Sequence, residues 1–530
     1  MAFFCSFSRL SPLLLILSLT VLIKFCKMRK TVINLGKTRR NYIQERELMM
    51  VSKLQPYNFL IAGLLLLMAG LVLPVNISMI LVTGIFTVYA FFKPKEGLLL
   101  LLLYVSIRPF LIEINPGLKL IGDAITFIVL LRIVFDARKD WKSLFQFHKF
   151  EWAFFVFLAF GSIIAFLTGV SIAAIIFQVR TFVIMYLLYY IISRLKIDKT
   201  DLIRFSWITI SVSILISVHG IIEKLSSRQL LLPEAWSEKM LSATNAVRIY
   251  GLPGNPNSLA LFLGFAVIAV LFLLEYSKGK ERKWLYAFLT LFTGVLLLTY
   301  SRGTWIAIAV GIVVYLISSR QWKILKPLVI SGILGLVLVY LPVNAGVGLF
   351  QSIGGEGGSD HGTGGIGNRF KETFDDENLE LMSQSGRFFY IKKGFEVFKD
   401  HPVTGTGFGT FGGSATLSYG SPIYDEYGIR SDIYGGKYFY SDNQYIQVIA
   451  ETGAIGVALF AAFLLFMLGL FWKHRKEGAF PKLMIALWFA TGVSGMYYNI
   501  WELKLYTMFF FIILGAYASI KGIYKKTDVE

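Results

Sequence analysis

The chain has 530 residues, of which 55% are hydrophobic and only 16% charged, with a formal net charge of +19. Soluble domains carry nearer 25% charged residues, so this composition excludes an ordinary water-soluble enzyme. Two cysteines, Cys5 and Cys26, exclude a disulfide framework or a cysteine zinc site. The basic excess sits in short clusters between apolar runs, as loops facing anionic lipid require, and argues against nucleic acid.

Residues 1–56 form an N-terminal extension. About thirteen apolar residues, Ser11–Ile23, precede a polar, basic run from Lys24 to Arg46. The apolar stretch is short for a span and resembles that of a signal sequence, without a small-residue cleavage site. Two readings stay open: an additional anchor, or a segment upstream of a true start at Met49 or Met50.

From residue 57 the apolar runs follow one another at 57–73, 75–92, 97–112, 119–135, 152–170, 172–192, 202–222, 257–275, 284–300, 303–318, 326–343, 452–472, 482–499 and 501–520. Each is long enough to cross a hydrocarbon core of about 30 Å. The expected fold is an all-α polytopic membrane protein of about fourteen transmembrane helices. Alternate loops are basic: Lys93/Lys95, Arg138/Lys139/Lys142, Arg194/Lys196/Lys199, Lys278–Lys283, Arg320/Lys323/Lys326, Lys473–Lys482 and Lys521–Lys526. Basic loops remain cytoplasmic. That places both ends of the core inside and residues 223–256 and 344–442 outside. Residues 57–343 then hold eleven helices, 344–451 a large extracytoplasmic loop bearing short helices, and 452–530 the last three helices and a cytoplasmic tail.

The outer loop opens with a glycine tract, residues 354–367, that lacks the apolar content of a core. Phe388, Ile391, Phe395 and Phe398 then recur at helical spacing, predicting an amphipathic helix over 385–400 with Ser385 as N-cap, lying along the outer membrane surface or on the bundle top. His401-Pro402 ends it, Gly405–Gly409 supplies a tight turn, and residues 442–453 read as a short helix entering the next span.

Ionisable groups in apolar surroundings are the functional candidates. Arg180 lies within a span, where a charge is expensive. Arg248, Arg302 and Arg387 fall on the outer side, and several guanidiniums there suit a diphosphate, each offering a bidentate donor fork. His148 and His474 read as solvated loop residues, His361 falls in the glycine tract, and His219 with Glu223 shares one helix face as a structural pair. His401, next to a fixed turn, has the chemistry of a general base near neutral pH. No Walker loop, zincin motif or acidic metal cluster is present, and no cofactor is expected.

Arg248 with Gly251 and Asn255-Pro-Asn257, Ser301-Arg302-Gly303, Arg387 some fourteen residues before His401-Pro-x-x-Gly405-x-Gly407, and Asp442-Asn443-x-Tyr445-x-Gln447 followed by Glu451-x-Gly453 together resemble the O-antigen ligase and Wzy polymerase superfamily. The ordered set spans about residues 240–455. Many ligases carry His-Asn where this chain has Asp442-Asn443, a departure that leaves the polymerase reading untouched. The resemblance implies metal-independent, inverting glycosyl transfer at the outer face of the cytoplasmic membrane in cell-surface polysaccharide biosynthesis. The donor would be an undecaprenyl-diphosphate-linked glycan and the acceptor a sugar hydroxyl on a second carrier. Teichuronic-acid, capsular and exopolysaccharide polymerases all fit. By position, the resemblance makes His401 catalytic and gives the diphosphate to Arg248, Arg302 and Arg387; Arg180, from its place within a span, and Asp442 and Asn443, in the resembling motif, complete the expected substrate-binding set. A flippase and chain-length regulators would be partner proteins. The competing class is a lipid-linked oligosaccharide flippase or other secondary transporter, which would show two related halves; none is visible.

Overall fold

A computed structural model describes residues 58–353, 386–430 and 440–524; the N-terminal extension to residue 57, the glycine tract and His361 lie outside the described residues. Among the described residues the regular structure is entirely helical.

All fourteen apolar runs fall on helices. They are α1 (Asn58–Val72), which belongs to a separate unit ending at Leu73, then α2 (Val75–Phe92), α3 (Pro94–Ile114), α4 (Ile121–Asp136), α5 (Lys149–Leu167), α6 (Ile172–Arg194) and α7 (Lys199–Leu225). After two short turns come α8 (Pro256–Leu274), α9 (Gly279–Leu298), α10 (Arg302–Ser319) and α11 (Trp322–Val347). The outer segment supplies α12 (Arg387–Asp400) and α13 (Ser414–Tyr419), and α14 (Gln444–Lys473), α15 (Ala479–Ser494) and α16 (Lys504–Lys521) complete the chain. Ten of these helices are long and apolar enough to cross a membrane. The remaining four runs form helices that are shorter, as in α1, α4 and α15, or begin with a charged turn, as in α9.

The alternation of loop charge reappears as pairing in space. At one end of the bundle Lys95 bonds Asp201 at 2.6 Å, the Lys199 ammonium sits 3.7 Å from the Tyr276 ring centroid, and Lys521 bonds Glu477 at 2.7 Å. At the other end Ile249 N–H donates to Leu298 O and Ser441 N–H to Gly412 O. The second end carries the long loops. His148 and His474 both differ from free loop residues: His148 is half-buried at the start of α5, and His474 Nδ1 lies 2.8 Å from Glu477.

The predicted outer helix exists, with one correction: its N-cap is Gly386, with Ser385 outside the described residues. Its buried face is Tyr390, Gly394 and Val397. Phe388 and Phe395 are about half exposed, at 48% and 52%. The reason is close packing: Gly394 has no Cβ, and one built there would lie 2.3 Å from Ile446 Cγ2 on α14. Tyr390 and Val397 join Phe411, Tyr424, Ile429, Ile446 and Ala450 in one apolar cluster. The phenylalanine stripe follows the helical period, but period alone does not say which of two apolar faces finds the partner.

The turn after α12 plugs into a break in α14. Gly453 has φ +57°, interrupting the helix, and the freed N–H groups of Ala454 and Ile455 donate to Pro402 O and Val403 O. Gly405 and Gly407, at φ +66° and +92°, press against backbone: a Cβ at Gly405 would meet Glu451 C at 2.4 Å, and one at Gly407 would meet Ala165 Cα at 2.2 Å. Only glycine combines that φ with that approach. The His401-Pro-x-x-Gly405 and Glu451-x-Gly453 patterns are therefore two halves of one joint.

Candidate active site

Four helices begin at the long-loop end and converge through side-chain contacts. Asn255 caps α8, its carboxamide oxygen accepting from Asn257 N and Ser258 N at 2.9 and 3.1 Å. Asn443 caps α14 in the same way, accepting from Tyr445 N and Ile446 N at 3.0 and 3.1 Å. The carboxamide oxygen of Asn443, a residue expected to bind substrate, is thus engaged by the backbone. Arg302 and Arg387 are the first residues of α10 and α12. Helix N-termini carry partial positive charge, so four of them with the arginines give this patch of the long-loop end a locally positive character.

The contacts run as a chain. Arg248 donates from Nε to Thr299 O at 2.8 Å, from Nη1 to Asn245 Oδ1 at 3.3 Å, and from Nη2 to Asn257 Oδ1 at 2.6 Å. The same Asn257 oxygen accepts from Ser301 Oγ at 2.9 Å, and Ser301 Oγ lies 2.9 Å from the Tyr498 hydroxyl. The Tyr497 and Tyr498 rings each stand 5.9 Å from the Arg387 guanidinium carbon. Arg387 Nη2 reaches Asp442 Oδ2 at 3.4 Å. Gly303 admits this arrangement, since a Cβ there would lie 2.7 Å from the Tyr497 ring. Glu223 fixes the Arg248 loop: it accepts from Tyr250 N and Gly251 N at 3.1 and 2.6 Å and pairs with Arg228 at 2.5 Å. His219 Nε2 bonds Leu231 O at 2.9 Å, so the expected structural role of that pair falls mainly to Glu223.

Asp442 is the carboxylate in this cluster. It adopts φ +49°, a left-handed conformation that Asp tolerates better than most residues and that costs energy which the surrounding structure must hold. About 45% of its side chain remains open to solvent, in a recess. Burial by the recess walls pushes its carboxyl above the usual range, while Arg387 and, more weakly, Arg248 pull it down.

His401 lies elsewhere. It is exposed and caps the C-terminal end of α12, the helix whose first residue is Arg387. At about 1.5 Å rise per residue the two positions are separated by roughly 20 Å. Arg180 also stands apart, paired with Asp123. The structure thus links Arg248, Arg387 and Asp442 through side-chain contacts, with Asn443 next to Asp442 and Arg302 between the cluster residues Ser301 and Gly303, and leaves His401 and Arg180 outside that group.

Beneath the cluster lies a buried polar floor of which the sequence reading named only Gln447 and Glu451, as parts of the resembling motif. Glu451 Oε1 accepts from the N–H groups of Gly409, Thr410 and Phe411 at 2.8, 3.1 and 3.1 Å. Glu502 accepts from Gln178 at 2.7 Å, Gln447 at 2.5 Å and Ser414 N at 2.6 Å. Asn499 donates to Gln447 Oε1 at 2.6 Å and to Gly412 O at 3.1 Å. Together these pin the glycine-rich segment 405–413 to the bundle and account for both glutamates as structural anchors. The available signal was Tyr497-Tyr-Asn-Ile-Trp-Glu502, a polar and aromatic run between two spans.

An apolar cavity of about 500 Å³ runs between α7, α8, α10, α15 and α16. Its lining extends from Leu261, Ala307 and Ser494, near the cluster, down to Lys199 and Tyr276 at the basic end. Among the described residues no three His, Cys, Asp or Glu side chains gather as a metal would require. The cations of the cluster are its arginines.

Compared with known proteins, residues 285–461 match the family described as O-antigen ligase. That stretch holds Arg302, Arg387, His401, Asp442 and Asn443; Arg180 and Arg248 precede it. No curated protein matches the chain.

Proposed function

We propose, from an O-antigen ligase domain at residues 285–461 that places this multi-pass chain in the O-antigen ligase and Wzy superfamily, that it polymerises lipid-linked glycan repeat units. The reaction is glycosyl transfer from an undecaprenyl-diphosphate donor at the outer face of the cytoplasmic membrane. The basic loops set the orientation, since their end of the bundle faces the cytoplasm. The observation that carries the reading is the Asp442 carboxylate held beside Arg387 within an arginine-rich convergence of helix N-termini.

In this reading the donor's diphosphate rests on Arg387, Arg302 and Arg248, and its isoprenoid tail enters the apolar cavity below. The acceptor hydroxyl oxygen bonds to the anomeric carbon from the face opposite the diphosphate, inverting it. The hydroxyl proton passes to Asp442, and the bond from carbon to the diphosphate oxygen breaks with its electron pair leaving on the lipid diphosphate. Arginines stabilise the charge that grows on that leaving group, and burial raises the basicity that Arg387 would otherwise suppress. His401, next to Pro402 whose carbonyl accepts from Ala454 N–H at the α14 joint, takes a positioning role through the turn it begins.

The test uses purified protein in liposomes with a lipid-linked repeat unit as sole substrate. Wild type should convert it to a ladder of longer chains with release of lipid diphosphate. Arg387→Lys, which keeps the charge and loses the bidentate fork, should slow this about 10- to 100-fold, as expected for about 1.5–3 kcal/mol of charged hydrogen bonding. Transport of the unit across the bilayer without elongation would sink the reading in favour of a flippase.

A further inference from the structure

The apolar cavity has a second mouth, at the basic end of the bundle, that the proposed reaction does not use. Lys199 begins α7 there, and Glu275 is the C-cap of α8; among the described residues they are the charged side chains of the lining. Both are exposed, and Tyr276 beside them is 45% exposed, so this end of the cavity reaches the surface.

Neither charge is neutralised by the protein. The Lys199 ammonium rests 3.7 Å from the Tyr276 ring centroid. That contact is favourable for a cation but gives its N–H groups no oxygen to bond. Glu275 puts a carboxylate at a helix C-terminus, where the helix dipole already disfavours negative charge. Among the described residues neither side chain has an ion-pair or hydrogen-bond partner, and they do not pair with each other. Above them the wall is apolar, with Leu202 and Phe205 from α7 and Phe265 and Phe272 from α8.

Apolar space inside a bilayer takes up hydrocarbon, because its lining gains dispersion contacts that a void would forfeit. From Leu261 to Glu275, α8 lines the cavity over about 21 Å at 1.5 Å per residue. One leaflet contributes about 15 Å of a 30 Å hydrocarbon core. An acyl chain entering from the basic side therefore fits, and leaves the reach nearest the arginine cluster to the tail of the donor.

We infer that this mouth holds one phosphatidylethanolamine molecule from the leaflet on the basic side. Its phosphate bonds Lys199, its ammonium bonds Glu275, and one acyl chain lies in the cavity. An anionic phospholipid would satisfy Lys199 and leave Glu275 facing a phosphate. A choline head brings a cation without an N–H, so it cannot hydrogen-bond the carboxylate. The ethanolamine ammonium supplies both charge and donors, as a lysine would. The choice of occupant does not rest on the glycosyl-transfer reading.

The test places the protein in nanodiscs of equal parts phosphatidylethanolamine, phosphatidylglycerol and phosphatidylcholine with the same acyl chains. Native mass spectrometry then counts the lipid that each chain retains on release from the disc. Wild type should keep one phosphatidylethanolamine in preference to the other two. Lys199→Gln should lower that bound fraction about tenfold or more, as loss of a charged hydrogen bond predicts, and Lys199→Arg should keep it. Glu275→Lys should exchange phosphatidylethanolamine for phosphatidylglycerol, because both charges at the mouth are then positive. That gain also shows the variant to be folded. The site is overturned if wild type retains no lipid, or retains phosphatidylglycerol or phosphatidylcholine as readily. Unchanged phosphatidylethanolamine in both Lys199→Gln and Glu275→Lys overturns it too. The count needs no turnover, so a protein that holds phosphatidylethanolamine through Lys199 and makes no polymer upholds this site while the glycosyl-transfer reading fails.

Discussion

Arg387 and His401 stand at opposite ends of the same fourteen-residue helix, and it is Arg387 that meets a carboxylate, Asp442, at 3.4 Å. The histidine and the arginine that the resemblance singled out are therefore not neighbours in space here. In the proposed mechanism the base is the carboxylate at the arginine end, and His401 remains the alternative that mutation decides.

Asp442→Asn removes the proposed base while keeping an oxygen toward Arg387. Polymer formation in reconstituted liposomes should fall about 10²–10⁴-fold, the range for loss of a general base, with protein yield unchanged. His401→Ala, made in parallel, should retain most activity and lower thermal stability slightly. The opposite ranking, with His401→Ala dead and Asp442→Asn active, would return the chemistry to the histidine.

The proposed mechanism requires Asp442 ionised, and burial holds its carboxyl above the usual range. The rate should therefore fall on acidification at a pH above that of an ordinary aspartate, as the proton rebinds. Arg387 is the main influence drawing this group down, so in Arg387→Gln the acid limb of the residual activity should move to higher pH. An acid limb at the same pH in both proteins would show that another group titrates.

Gly407 is bound to its place by two separate constraints, φ +92° and an approach that would put a Cβ 2.2 Å from Ala165 Cα. Gly407→Ala should cost about 1–3 kcal/mol for backbone strain and a similar amount for overpacking, seen as low yield and a lower melting temperature in detergent. Gly469→Ala, in open space within α14, should be neutral or stabilising by about 0.5–1 kcal/mol. Equal melting temperatures would refute the tight joint.

Orientation is tested with Cys5 and Cys26 replaced by serine and single cysteines introduced at two exposed positions, Lys280 and Tyr419. An impermeant thiol reagent on intact cells should label Tyr419→Cys and spare Lys280→Cys. The reverse pattern would invert the bundle and remove the glycan donor from the face where the cluster opens.

The sequence by itself determined where the helices are. Apolar runs of spanning length mark them because the bilayer core excludes unpaired backbone groups and leaves helix as the available form. It also determined the pairing of loops, since basic clusters at alternate connections had to share one end. Arg248, Arg302, Arg387 and Asp442 were legible as candidates because charge and asparagine are rare in such surroundings. What only the tertiary structure decided was which of them meet. Asp442 is 55 residues from Arg387 and Tyr498 is 197 from Ser301, and such distances along the chain carry no signal of contact. The same holds for the face of α12 that is buried, chosen by the fit of Gly394 against Ile446 rather than by the phenylalanine period. Gln178, Asn499 and Glu502 read singly as stray polar residues; only the packing of α6 against α16 and the 495–503 connection makes them a floor. Buried polar groups must find partners wherever the fold supplies them, and those partners come from segments hundreds of residues apart.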